Sequence, residues 1–96
     1  MRRYRLSPAA RSDLDEIWTY SADRWGADRA EGYIRDLIGA VEKIASGKRR
    51  GRACDDVRPG YFRCACQSHV IFYKLAGETV DVIRILHQRM DFTRRL

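Results

Sequence analysis

The sequence predicts an α+β domain of order β-α-α-β-β-β, a helical hairpin packed on one face of a small, mainly antiparallel sheet. Three observations predict it. Two apolar stripes at 3–4 spacing fill residues 8–46 and are broken only at Gly26. After Pro59-Gly60 the period changes to short runs rich in β-branched and aromatic residues. Those runs are separated by segments of hairpin length, Gln67-Ser68-His69 and Ala76-Gly77-Glu78.

The elements follow in order. Arg3–Leu6 reads as a short strand before Ser7-Pro8, where Ser suits an N-cap and Pro the first helical position. The helix that follows shows Ala10, Leu14, Ile17, Trp18, Ser21 and Trp25 on one face. Asp13, Asp15 and Glu16 lie in its first half, where the helix dipole favours anions. A second helix runs from about Ala27 to Ser46 with the stripe Ala30, Ile34, Leu37, Val41, Ile44, expected to pack on Leu14, Ile17 and Trp18. That 4-3-4-3 spacing suits two helices packed lengthwise, and the short Gly26 connection makes them antiparallel. Gly39 inside this helix costs about 1 kcal/mol of propensity and marks a close neighbour. Ser46-Gly47 closes the helix, and 48–60 is an irregular basic stretch. Tyr61–Cys66, Val70–Leu75 and Val80–Leu86 form three consecutive antiparallel strands, apolar on both faces. One face takes the helices; the other is expected to be partly exposed or covered by a partner. Residues 87–96 form a polar, basic tail with no period that would bury it.

At 96 residues the chain is expected to be one domain, 1–96, since typical domains run ~100–150 residues. A hydrophobic share of 45% argues against disorder, and no apolar run approaches the ~18 residues of a membrane span. Met1-Arg2-Arg3 is not followed by an apolar leader core, so a cytoplasmic protein is expected. The net charge of +6 is uneven: residues 1–47 carry eight Lys/Arg and eight Asp/Glu, residues 48–96 eleven and five. A basic half points to an anionic partner or to a solvated surface.

The catalytic inventory is thin. No glycine-rich phosphate loop or nucleophile elbow occurs, and Asp55-Asp56 reads as a solvated turn. Cys54, Cys64, Cys66 and His69 could furnish metal ligands, but C-x-C on a straight strand does not focus two thiolates on one ion. Core cysteines, no metal and no cofactor are therefore expected. His69 sits at a hairpin turn; His87 ends the last strand beside Gln88-Arg89, where it could serve as an acid or base on a phosphodiester or as a hydrogen-bonded strand end. Arg63, Arg84, the loop cations Lys48, Arg49, Arg50 and Arg52, and the tail's Arg89, Arg94 and Arg95 could converge on phosphates. Tyr61, Phe62 and Tyr73 could stack bases or fill the core.

Six blocks in order form a known pattern: Leu6-Ser7-Pro8-Ala9-Ala10, Asp13-Leu14 with Ile17-Trp18 and Tyr20, Trp25-Gly26, Arg58-Pro59-Gly60-Tyr61, His69-Val70-Ile71-Phe72-Tyr73, and Val82 through Asp91. Together they resemble the ParE branch of the RelE/ParE superfamily of type II toxin–antitoxin toxins. The resemblance implies a cytoplasmic toxin that inhibits DNA gyrase, blocks replication and is neutralised by a ParD-like antitoxin, with no cofactor and no membrane partner. The RelE branch instead cleaves messenger RNA on the ribosome and tends to carry Arg where this chain has Val70, and in some members Tyr where it has Gln88. A ribonuclease here would use Arg63, His87 and Arg89. As an inhibitor, the chain is expected to bind its target through Arg84, His87, Arg89, Met90, Phe92, Arg94 and Arg95. The antitoxin is expected on Tyr20, Tyr33, Arg63, Val70 and Phe72, with direct nucleic-acid contact secondary.

Overall fold

β1 (Arg3–Leu6) leads into α1 (Pro8–Trp25) and α2 (Ala27–Ala45), then β2 (Arg52–Ala53), β3 (Phe62–Cys66), β4 (His69–Ala76), β5 (Thr79–His87) and the short α3 (Phe92–Arg95). The structure is a computed structural model that describes residues 3–96; Met1 and Arg2, part of the stretch read as lacking a leader, lie outside the described residues. The sheet order is β1-β5-β4-β3-β2, with β1 parallel to β5 and every other pairing antiparallel. The expected α+β order is present. The two-residue β2 is an addition, too short to show any period in the sequence. None of the described helices is long and apolar enough to cross a membrane.

Local chemistry starts and stops the helices as the sequence reads. The Ser7 hydroxyl accepts from the Ala10 amide at 3.0 Å, with Pro8 in the first turn. Gly26, at φ 91°, takes a conformation costly for any other residue and lets α2 double back on α1. The expected α2 stripe is buried at Ala30, Leu37, Val41 and Ile44, while Ile34 is half-buried at its margin. α1 turns Ala10, Asp13, Ile17 and Ser21 inward, with Leu14 beside them. Trp18, one residue further round the helix than Ile17, is left 38% exposed instead of packing on that stripe. Gly39 marks no close approach, since a Cβ there would meet nothing within 4 Å. Gly51 is the tight position: a Cβ would sit 2.5 Å from the Tyr73 hydroxyl oxygen and 2.8 Å from the Arg63 carbonyl oxygen.

The sheet has two apolar faces because strand residues alternate sides. Cys64, Cys66, Ile71, Tyr73, Val80, Val82 and Ile85 face the helices and form the main core. Val70, Phe72 and Leu86 face away and join Cys54 in a second cluster, closed by Val57, Tyr61, Phe92 and Leu96. The centre of the far face, at Val70, Phe72 and Leu86, is therefore covered by the chain's own 54–61 loop and its tail, while Arg52, Ala65 and Lys74 on the same face stay exposed. Phe92 meets Phe72 edge-on at 4.8 Å between ring centres. Arg58 donates to the Leu96 backbone oxygen, and Arg84 to that of Arg95 at 3.1 Å. This corrects the reading of the tail as a segment without a packing role: two well-placed apolar residues suffice to dock it, and they need no period.

Leu37→Ala should cost ~2–5 kcal/mol in chemical denaturation, as removal of a fully buried leucine does. Phe92→Ala should cost about 1–3 kcal/mol, and removal of residues 88–96 should lower the melting temperature visibly. A truncated chain that melts with the full-length one would contradict the docking of the tail.

Candidate functional site

β1 pairs with β5 only as far as Val82. Beyond it β5 has an edge with no strand neighbour, and a bulge leaves Ile83 without a partner on β4. Side chains of α1 and its cap take the place of the missing strand. Ser7 Oγ donates to the Ile83 carbonyl at 2.6 Å, and Asp13 Oδ2 accepts the Ile85 N–H at 2.9 Å. Arg84 grips the same carboxylate bidentately, Nε to Oδ2 at 2.8 Å and Nη2 to Oδ1 at 2.7 Å. The bond to Asp13 raises the Arg84 pKa, so the guanidinium stays charged.

Between α1 and this edge opens a cleft of about 440 Å³. Ile17, Tyr20, Ser21 and Trp25 form one wall; Tyr33 of α2, His69 of β4 and the β5 end with His87 and Met90 form the other. Tyr20 is 57% and Trp25 50% exposed, packed edge to face at 6.2 Å with the Arg24 guanidinium over both rings. Deeper in, the Tyr33 hydroxyl accepts the Ser68 N–H at 3.2 Å and lies 2.6 Å from His69 Nδ1. The hydroxyl and the imidazole thus share one hydrogen bond, whose direction follows the tautomer of the ring. His69 and His87 are register partners whose rings stand perpendicular at 5.3 Å. Burial first, and then His87, lowers the His69 pKa to about 4 against a weak opposing pull from Asp13. His69 is therefore neutral at pH 7. His87 Nδ1 accepts the Arg89 N–H at 3.2 Å. The β3–β4 turn that carries Ser68 is held to α2 by Gln67, whose side chain donates to Asp36 at 2.6 Å.

The residues expected to bind the antitoxin are divided between two sides of the sheet. Tyr20 and Tyr33 share the cleft. Arg63 lies in register with Phe72, hence on the far face. Val70 and Phe72, expected on an exposed face, are buried, Phe72 to 0% exposure, because the tail closes over them. The residues expected to bind the target divide as well. His87 and Met90 line the cleft, Arg84 is held by Asp13, and Phe92 is turned onto Phe72. Arg89, Arg94 and Arg95 are exposed, Arg94 pairing with Asp91 at 3.6 Å. The alternative ribonuclease set is not assembled, since Arg63 and His87 project from opposite faces of the sheet. The cysteines are also split, Cys64 and Cys66 toward the helices and Cys54 on the far face, and burial raises the pKa of all three thiols.

Sequence reasoning missed Asp13, Ser21 and Trp25 as parts of the site. For the first two a signal existed. Asp13 and Ser21 fall in phase with Ala10 and Ile17 on the inward face of α1, and a carboxylate at such a position requires a buried partner.

Comparison with known proteins places the chain among relatives. Residues 4–92 match the family model described as ParE toxin of type II toxin-antitoxin system, parDE. The chain is 54% identical over 95 residues to Toxin ParE1 of Mycobacterium tuberculosis, covering 98% of this chain and 97% of that one. It is 48% identical over 91 residues to Toxin ParE1 of Caulobacter vibrioides, covering 95% and 94%. Among solved structures, a chain of the chromosomal ParDE TA system from P. aeruginosa superposes with a TM-score of 0.78 at 19% identity, over 91% of this chain and 96% of that chain.

The buried neutral His69 sets a pH dependence. Its pKa is about 4 folded and near 6.5 unfolded, so in that window the unfolded chain binds more protons. The contribution of this group to stability should thus rise with pH between about 4 and 6.5 and stay level above. Denaturation midpoints of His69→Gln and wild type, compared across pH 4–7, should diverge below pH 6.5, with the variant losing less on acidification. Parallel curves would contradict the burial of a neutral imidazole.

Proposed function

The chain belongs to the ParE toxin family of type II toxin–antitoxin systems, and on that premise we propose that it inhibits DNA gyrase, blocks replication and is neutralised by a ParD-like antitoxin. It acts in the cytoplasm, where gyrase works, as an inhibitor and not as an enzyme. The observation that carries the reading is the family match over residues 4–92, which takes in both the cleft and the root of the tail. The docking of the tail supports it further. Phe92 and Leu96 are spent on the far-face cluster, so Arg89, Arg94 and Arg95 are held outward on a fixed base. Met90 stands between that surface and the cleft. Arg84 serves as a positioning residue, one nitrogen on the tail backbone and two on Asp13.

The antitoxin belongs on the cleft. Tyr20 and Tyr33 line it, and exposed Trp25 joins them as an aromatic anchor at the rim. Large aromatics around a concave apolar site are the usual centres of binding energy between proteins. Val70 and Phe72, sealed under the tail, have no part in this contact.

Two measurements test the reading. Arg94→Glu/Arg95→Glu changes exposed side chains and should abolish inhibition of gyrase supercoiling while leaving the melting temperature near wild type. Messenger RNA cleavage that disappears with His87→Ala would move the chain to the ribonuclease branch. Trp25→Asp should weaken the purified antitoxin complex tenfold or more, as loss of an anchor worth about 2 kcal/mol does, and should let toxicity escape co-expressed antitoxin. An unchanged dissociation constant would place the antitoxin elsewhere.

A further inference from the structure

We propose that the sheet face opposite the helical hairpin binds the phosphate backbone of duplex DNA through Arg52 and Arg63, extended by the tail arginines Arg94 and Arg95. Arg52 and Arg63 are direct register partners on β2 and β3. The row continues through Phe72 on β4 to Arg84 on β5. Like charges directly opposite each other in an antiparallel pair destabilise the sheet. Among the described residues neither guanidinium has an ion pair or a side-chain hydrogen bond to relieve that repulsion. The acids nearby are engaged otherwise: Asp13 holds Arg84, Asp91 pairs with Arg94, and Asp55 accepts the Gly60 N–H at 2.8 Å. Asp56 is the remaining acid of the covering loop. The half of the sequence that folds into the helical hairpin is neutral, and the half that holds β2 to β5 carries the whole +6. Of its cations Arg52, Arg63, Arg94 and Arg95 belong to this face or its tail, while Arg49 and Arg50 line hollows beside α2.

The apolar chemistry of this face selects the partner. Its hydrophobic residues are spent on the closed cluster, with Cys54 and Phe72 at 0% exposure. The exposed large hydrophobics among the described residues are Tyr4, Trp18, Tyr20, Trp25, Leu75 and Met90. By strand parity or helix position all of them belong to the helical side or the cleft. An acidic protein partner needs large exposed apolar anchors at the centre of its contact, and the apolar side chains of this face, Val57, Tyr61, Phe92 and Leu96, are half-buried in the cluster they close. Single strands need exposed rings on which unpaired bases stack, and Tyr61 is packed against the cluster with Arg58 over its ring. A duplex backbone asks only for cations arrayed on a firm support.

The test is fluorescence anisotropy of a labelled duplex of arbitrary sequence with the full-length chain and no topoisomerase present. The logarithm of the binding constant should fall against the logarithm of salt with a slope of about −3 to −4, one phosphate per arginine. Arg52→Gln/Arg63→Gln should flatten that slope by about 2 and weaken binding tenfold or more at low salt. Arg52→Lys/Arg63→Lys should keep the slope, which preserves the test if the Gln pair fails to fold. Arg11→Gln/Arg29→Gln, on the helical side, should change nothing. A slope indifferent to Arg52 and Arg63, or polyglutamate competing as well as DNA, would overturn the proposal. Because no gyrase enters the assay, failure to inhibit gyrase leaves this inference standing, and loss of DNA binding leaves the gyrase reading standing.

Discussion

Asp13 is the hinge on which the arrangement depends. Past Val82 the β5 edge has no strand to pair with, and an unpaired buried backbone group costs free energy comparable to a lost hydrogen bond. One carboxylate supplies what the strand does not, accepting from the Ile85 N–H and from two nitrogens of Arg84. Arg84 in turn reaches the Arg95 carbonyl. Helix α1, the end of β5 and the tail therefore meet at one half-buried ion pair, its carboxylate the inner member. Such a pair adds little stability relative to an apolar replacement, but removing one member strands the other charge in the interior. Its value is orientation: it sets where α1 crosses the sheet, and so where the cleft opens.

Much of this architecture was legible in the sequence because it rests on local rules. Ser7-Pro8 and Gly26 mark helix boundaries by their own backbone preferences, and both do so in the structure. The change from 3–4 spacing to β-branched runs located β3, β4 and β5 to within two residues. What was not legible depends on contacts between distant segments. That Phe72 and Val70 are sealed follows from Phe92 and Leu96 folding back over them, and nothing in the local pattern of 87–96 announces it. The split of Arg63 from Tyr20 and Tyr33 follows from strand parity, which requires the register and not merely the presence of a strand. Trp18 shows the limit of stripe reading: one residue of helical phase separates it from Ile17, and that step carries it out to solvent.

The two sides of the molecule differ in physical character. The helical side presents an aromatic cleft with a neutral histidine, suited to a partner held by shape and desolvation. The far side presents fixed arginines above a closed apolar layer, suited to attraction at a distance that salt screens. The β5 terminus, with His87 turned one way and Arg84 the other, is the boundary between them.

The tail has a further consequence for how such a chain can change over generations. Phe92 and Leu96 close the far-face cluster, while Arg89, Arg94 and Arg95 point outward. Inward positions are constrained by folding, and drift there is penalised whatever the chain binds. Outward positions carry no packing duty and are free to follow a changing partner. A short segment thus separates what must be kept from what can be tuned, residue by residue, so new specificities can arise at its surface without the interior being rebuilt.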